Sequence, residues 1–112
     1  MKKIALVDLD GVLNEYNGVY KENEIPCIKP GAKEFLENLA KCYDIEIFTV
    51  RNKLETAKWL QKNEIEHLIK DISNVKNQYA SVIIDDRAIG FKGNYSSLLE
   101  ESLNFRPYWQ KK

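Results

Sequence analysis

Three short apolar segments constrain this chain more than any other feature of its sequence. They cover residues 3–8, 45–50 and 81–85 and are rich in β-branched or aromatic side chains, which is typical of buried strands. Segments with helical periodicity follow the first two. Strands that alternate with helices are joined by crossover connections, so the sequence predicts an α/β fold with a mainly parallel central sheet and helices on both faces, a three-layer sandwich.

The helices are predicted from the spacing of apolar side chains. The first opens at Pro30-Gly31 and carries apolar residues at helical spacing as far as Tyr43. A second is predicted over residues 54–65 and a third over 96–103. The segment 67–72 is ambiguous, and an edge strand is one interpretation of it.

A length of 112 residues fits one domain, residues 1–112, with a single hydrophobic core. Asn17-Gly18 stands between apolar and aromatic residues, which predicts a tight hairpin turn and a small flap over about residues 14–29. The longest apolar segments are far shorter than the roughly 18 residues of a membrane span, and no signal-type segment follows the first lysines. We therefore expect a cytoplasmic protein without a membrane partner.

The charge balance and the cysteines exclude several other classes of protein. Lys and Arg number 17 and Asp and Glu 17, with a pI near 6.6, which lacks the basic character of a dedicated nucleic-acid binder. Nucleic acid is not an expected partner, although binding through a small basic groove stays an alternative. Cys27 and Cys42 are too few and too far apart for a disulfide framework or a cysteine zinc site.

Polar and acidic residues stand where the predicted strands end. Asp8 and Asp10 follow the first strand, Thr49 ends the second, and Asp85 and Asp86 follow the last. Because ligands bind at the carboxyl ends of the strands in open parallel sheets, we expect these side chains to converge. Carboxylates crowded together repel one another unless a cation or a proton intervenes, and a site of a few carboxylates suits Mg²⁺.

A metal ion beside a carboxylate nucleophile indicates phosphoryl transfer. The nucleophile would attack phosphorus to form an aspartyl phosphate, and a second carboxylic acid two residues further on would protonate the departing oxygen. Gly11 leaves room for the backbone to turn and bring its amides towards phosphate. Arg51 and Arg87 either bind substrate phosphate or pair with a neighbouring acid, Asp86 or Glu55.

Three of these segments match a known set of sequence motifs. Residues 4–13, 45–49 and 81–86 resemble, in order, the first, second and fourth motifs of the haloacid dehalogenase-like (HAD) superfamily, and the resemblance extends over nearly the whole chain. It implies a Rossmann-like core in which Asp8 is the nucleophile and Asp10 the general acid and base.

The resemblance also implies a metal site. Asp85 would ligate Mg²⁺ together with Asp8 and the backbone carbonyl of Asp10, and Asp86 would support that site from further out. Thr49 would bind the phosphoryl group.

The third motif of the superfamily is a lysine upstream of the fourth. Lys76 fits best and Lys70 is the alternative. The resemblance points to the phosphatase branch, because the dehalogenases lack the second acid, which is present here as Asp10. Residues 14–29 are too few for a cap domain, so the resemblance implies an open site, or one closed partly by a partner subunit. Residues 84–88 look like those of small phage and bacterial phosphatases and of deoxynucleotidase-like relatives.

The expected activity is Mg²⁺-dependent hydrolysis of a phosphomonoester, by default a small phosphorylated metabolite or nucleotide. Three alternatives stay open: a non-catalytic domain that binds phosphate or a protein, a phosphatase acting on a macromolecular end, and a receiver-like domain that only accepts a phosphoryl group. A homodimer is also open.

Several aromatic residues have two interpretations each. Phe105, Tyr108 and Trp109 either fold back on the core or form a dimer contact. Tyr16 and Tyr20 either stack on a base or sugar of the substrate or pair with each other across the flap turn.

Overall fold

The computed structural model describes residues 2–110. Each predicted helix and strand is present, and the segment 67–72 is indeed largely a strand. Residue 43 belongs to the second strand rather than to the first helix. In chain order the elements are β1 Lys3–Asp8, α1 Ala32–Leu39, β2 Tyr43–Phe48, α2 Lys53–Lys62, a short 3-10 helix Glu66–Leu68, β3 Ile69–Ser73, β4 Ala80–Ile84 and α3 Tyr95–Asn104.

The four strands form one parallel sheet in the order β3-β2-β1-β4. The chain moves outward from β1 through β2 to the edge strand β3, then returns to place β4 on the other side of β1. The strand order therefore reverses between β1 and β4, and this reversal is where open α/β sheets bind ligands.

The hydrophobic core lies on one face of the sheet. Val7, Ile45 and Ile47 pack there with Leu36 of α1 and Leu60 of α2, and all five side chains are essentially inaccessible to solvent. The two crossovers run in the same direction across the sheet, and right-handed crossovers of that kind place both helices on the same face. Complete burial of each such side chain is worth about 1.5–3 kcal/mol.

The other face differs from the predicted three-layer sandwich. The connection from β3 to β4 is residues 74–79, which contain no helix, and Asn77 Nδ2 donates a 3.1 Å hydrogen bond to Glu46 Oε1 of β2. The helix α3, all of whose residues are described, has no buried side chain. Ile83 of β4, predicted to be buried, is 44% exposed because β4 is an edge strand.

The flap, residues 14–28, leaves the sheet after β1 and is closed at its base by one antiparallel bridge between its two ends. The chain bends at Gly18, where φ is 101°, but residues 15–27, all of them described, form no strands. The predicted tight hairpin is therefore wrong in detail. Tyr16 packs against Trp109 and Tyr20 against a buried arginine, so both rings make tertiary contacts instead of pairing across a turn.

Among the helices that the structure describes, none combines the length and the apolar character needed to cross a membrane.

Candidate functional site

Three carboxylates meet at the point where the strand order reverses. Asp8 is the last residue of β1, and Asp85 and Asp86 directly follow β4. Since Val7 of β1 is paired with Ile84 of β4, the next residues along the two strands are neighbours. One oxygen from each of the three carboxylates lies within 4.8 Å of the others. We call these three residues the acidic cluster.

The acidic cluster carries more negative charge than its surroundings compensate. Burial, a hydrogen bond with Asp86 and the negative charges of Asp85 and Asp86 together raise the pKa of Asp8 to about 8, and burial has the largest effect. Asp86 Oδ1 is buried and, among residues 2–110, has no hydrogen-bond donor. Asp85 Oδ1 accepts a 2.8 Å bond from the amide of Arg87.

The acidic cluster fits a hard divalent cation. Mg²⁺ is bound through one or two carboxylates in company with water and phosphate oxygens. A cation would compensate the charge that otherwise forces a proton onto Asp8, and it would satisfy the orphaned oxygen of Asp86.

Asp10 lies apart from the acidic cluster and is held by two side chains. Arg51 Nε donates to Asp10 Oδ2 at 2.8 Å and to Oδ1 at 3.1 Å, and Asn14 Nδ2 donates to Oδ1 at 3.0 Å. The Arg51 side chain is only 1% exposed. These bonds fix the orientation of the Asp10 carboxylate.

Arg51 also fastens the flap to the sheet. Its Nη1 donates to the backbone carbonyls of Lys21 at 2.8 Å and Glu22 at 3.3 Å, and its guanidinium lies 4.6 Å from the centre of the Tyr20 ring. Sequence reasoning expected a substrate contact or a pairing with Asp86 or Glu55. The structure instead pairs Arg51 with the acid two residues beyond the end of β1, because the flap folds over the carboxyl end of β2.

Thr49 follows β2 and is 5% exposed. Its Oγ1 accepts a 3.2 Å hydrogen bond from the amide of Arg51, which leaves the hydroxyl proton free for another acceptor. A cavity of about 130 Å³ opens above these strand ends. It is lined by Asp8, Asp10, Tyr16, Tyr20, Phe48, Thr49, Val50, Asp85 and Arg87.

Gly11 lets the backbone turn, as predicted, but its own amide already has a partner. Its amide donates to Asn14 Oδ1 at 3.1 Å and is not free to face a phosphate. A Cβ at this position would overlap Asp86 Oδ2 and lie 2.7 Å from its Cγ, and φ is 86°. Glycine is therefore required here so that the loop can approach the acidic cluster.

The two candidate lysines lie in different places. Lys70 Nζ contacts Asp44 Oδ2 at 3.2 Å, near the amino ends of β3 and β2. The acidic cluster lies at the opposite, carboxyl ends of the strands. Lys76 lies in the connection that leaves the carboxyl end of β3. It is exposed and has no hydrogen bond or ion pair within the described part of the chain. Arg87 is exposed at the cavity rim.

Sequence reasoning missed the roles of Asn14 and of the C-terminal aromatic residues at this site. Asn14 is completely buried, and its side chain bonds to Asp10 and to the amides of Gly11 and Tyr16. Its position four residues after an acid was the only available signal. Trp109 Nε1 donates to Asp86 Oδ2. Tyr108 and Trp109 thus fold back onto the loop after β1 and the acids after β4, whereas Phe105 is exposed.

The fold and the site define a small α/β protein with a four-stranded, all-parallel sheet. Its acids lie at the switch point, where the strand order reverses between β1 and β4. A solved structure of a conserved protein from Bacteroides thetaiotaomicron is similar, with a TM-score of 0.59 and 18% sequence identity over 93% of this chain and 92% of that one. At this identity the similarity shows the fold alone. No family model matches the chain, and no curated protein matches it either. Membership of the HAD superfamily is therefore a proposal based on the sequence motifs.

Proposed function

We propose that this protein is a cap-less, HAD-like phosphohydrolase that depends on Mg²⁺ and cleaves a phosphomonoester through an aspartyl phosphate on Asp8. The observation that carries the proposal is the acidic cluster at the switch point, beside a second acid, Asp10, with a fixed orientation. A protein that needed only a stable fold would gain nothing from a pKa of about 8 on Asp8.

The acidic cluster, Asp8, Asp85 and Asp86, would hold the cation, together with the backbone carbonyl of Asp10 that the sequence resemblance implies. When bound, the cation would neutralise charge on the phosphoryl oxygens and on the acids around them.

The chemical work falls to Asp8 and Asp10. A carboxylate oxygen of Asp8 attacks phosphorus, a new P–O bond forms, and the bond to the substrate oxygen breaks. Asp10, in its protonated form, gives its proton to that leaving oxygen, which departs as an alcohol, and is left as the carboxylate that Arg51 binds. In the second step Asp10 takes a proton from water as the water oxygen attacks phosphorus. The acyl phosphate bond then breaks, and Asp8 and inorganic phosphate are released.

Neighbouring side chains would orient the reacting groups. Arg51 and Asn14 hold the Asp10 carboxyl in one position. The Asp10 side chain therefore loses little conformational entropy when the transition state forms. The free hydroxyl proton of Thr49 can be donated to a phosphoryl oxygen. Lys76, on the connection after β3, is the proposed phosphate-binding lysine, and Arg87 at the cavity rim is the second candidate for contact with the substrate.

The cavity suggests the size of substrate that fits. At about 130 Å³ it has room for a phosphoryl group and the first atoms attached to it, so the remainder of the substrate would lie outside, beside Tyr16 and Tyr20 of the flap. A small phosphorylated metabolite or a nucleotide is the proposed substrate class.

The test is a panel of phosphomonoesters assayed with Mg²⁺ and with a chelator, using wild type, Asp8→Asn and Asp44→Asn. Asp44 is a matched control because it is a carboxylate near the opposite edge of the sheet. Asp8→Asn should abolish turnover with the fold intact, Asp44→Asn should keep it, and readdition of Mg²⁺ should restore chelated wild type. Acid-quenched wild type should carry one phosphoryl group by mass spectrometry.

Activity that survives Asp8→Asn would refute the assignment of the nucleophile. A wild type that is inert with Mg²⁺ on metabolites, nucleotides and phosphorylated polymers would favour the non-catalytic binding domain instead.

A further inference from the structure

The chain after α3 returns to the site. We call residues 105–110 the C-terminal strap. The Tyr108 hydroxyl donates to the carbonyl of Gly11, 97 positions earlier in the chain, and Trp109 Nε1 donates to Asp86 Oδ2. A turn in which the amide of Gln110 donates to the carbonyl of Pro107 at 3.0 Å closes the strap. The strap therefore contacts both the loop after β1 and the acids after β4.

The indole of Trp109 lies in a slot shaped by two glycines. A Cβ on Gly11 would lie 3.0 Å from Trp109 Nε1, and a Cβ on Gly18 would lie 2.9 Å from the Trp109 ring. Both glycines have positive φ, 86° and 101°. The Tyr16 ring meets the indole edge-on, with the ring centres 5.2 Å apart. Loop and flap are thus both shaped around this one side chain.

Packing alone would account for the half-buried ring of Trp109 but not for the direction of its N–H. The other tryptophan, Trp59, donates its indole N–H to the carbonyl of Pro26, an ordinary backbone acceptor. The N–H of Trp109 meets a carboxylate of the acidic cluster. An indole N–H is a donor only, so its partner must be an acceptor oxygen, here Oδ2 of Asp86.

We infer that Trp109 is a positioning residue for the cation site: it holds Oδ2 of Asp86 and leaves Oδ1 as the oxygen available to a cation. Among residues 2–110, Asp86 Oδ1 has no hydrogen-bond partner. The inference rests on the cation site of the proposed function. Hydrogen bonds that orient ligating carboxylates typically change metal affinity by about 10–100-fold.

The first test uses unmodified ¹⁵N-labelled protein. Its NMR spectrum contains two indole N–H signals, from Trp59 and Trp109, which Trp59→Phe assigns. Titration with MgCl₂, compared with NaCl of the same ionic strength, should shift the Trp109 signal to saturation and leave that of Trp59 in place. The midpoint should equal the Mg²⁺ Kd from calorimetry.

The second test compares two variants of the strap by calorimetry. Trp109→Phe keeps a ring in the slot but removes the donor, and its Mg²⁺ Kd should be about 10–100-fold weaker than that of wild type. Tyr108→Phe removes the other hydrogen bond of the strap and keeps the donor on Asp86, so its Kd should stay close to that of wild type.

The outcomes separate this inference from the proposed function. If wild type binds no Mg²⁺, both are overturned. If wild type binds Mg²⁺ while the Trp109 signal does not move and Trp109→Phe binds equally well, only the inference fails. If circular dichroism shows that Trp109→Phe is unfolded, the titration of wild type decides the question by itself.

Discussion

Replacing Asp8 with asparagine should stabilise the cation-free protein at high pH, although it removes the proposed nucleophile. In the unfolded chain Asp8 ionises near pH 3.8, but in the folded protein it ionises near pH 8, because it is buried beside Asp86 and Asp85. A carboxyl whose pKa is raised by folding contributes stability at low pH that is lost as the pH rises from about 4 to about 8. Asparagine has no proton to lose and so stays uncharged as the pH rises, and its amide can still donate to Asp86.

The size of the effect follows from the displacement of the pKa. A displacement of about 4 pH units at about 1.4 kcal/mol each would amount to roughly 6 kcal/mol at pH 8 and above. Asp8 lies at a cavity and is only half-buried, so solvent screens part of this penalty. We expect Asp8→Asn to be more stable than wild type by on the order of 2 kcal/mol near pH 9, and by much less near pH 5.

The measurement is urea denaturation in EDTA at both pH values, with Asp44→Asn as the matched control. Each variant is compared with wild type at the same pH. The effect on stability of titratable groups that the variants and wild type share then cancels. Mg²⁺ should stabilise wild type more than Asp8→Asn and so reduce the difference. A loss of stability in Asp8→Asn near pH 9, or a difference from wild type that does not change between the two pH values, would refute the crowding of charge at this site.

Three further predictions test other contacts. Gly11→Ala should cost about 1–3 kcal/mol in a thermal or urea melt, because its φ is 86° and its Cβ would overlap a carboxylate; a neutral effect would contradict the close approach. Arg51→Met should destabilise the protein by about 3 kcal/mol, since it leaves Asp10 without its ion-pair partner, and should expose the flap to protease; an unchanged urea midpoint would count against the ion pair. Lys76→Met should raise KM for a phosphomonoester more than Lys70→Met does, because Lys70 lies at the opposite edge of the sheet; the reverse order would exchange the two assignments.

Much of the fold could be predicted because its signals are local. The apolar runs that became β1, β2 and β4 and the helical spacing in α1 and α2 reflect which side chains face the core, and that pattern repeats within a few residues. The ends of the strands were also visible, because Asp8 and Asp85 stop the apolar runs abruptly. The general rule for ligand sites in parallel sheets then placed both acids at one edge.

The errors in the prediction come from sheet position and chain crossing. Strand β4 was expected to be buried, but a row of apolar residues does not say whether a strand is central or at an edge. No helix connects β3 to β4, because residues 74–79 cross between the two edge strands and are too few to contain one as well. The predicted hairpin in the flap does not form. Tyr16 instead packs against Trp109, and Tyr20 packs against Arg51.

By itself, the sequence determined where strands and helices form, which residues end them, and that acids from both halves of the chain would approach each other. Only the tertiary structure decided the partners of those acids: Asp10 pairs with Arg51, 41 positions away, and Asp86 with Trp109, 23 positions away. The physical reason is that backbone preference and side-chain periodicity act over a few residues. A hydrogen bond between distant residues, in contrast, exists only after the strand order and the path of the flap have brought donor and acceptor within about 3 Å.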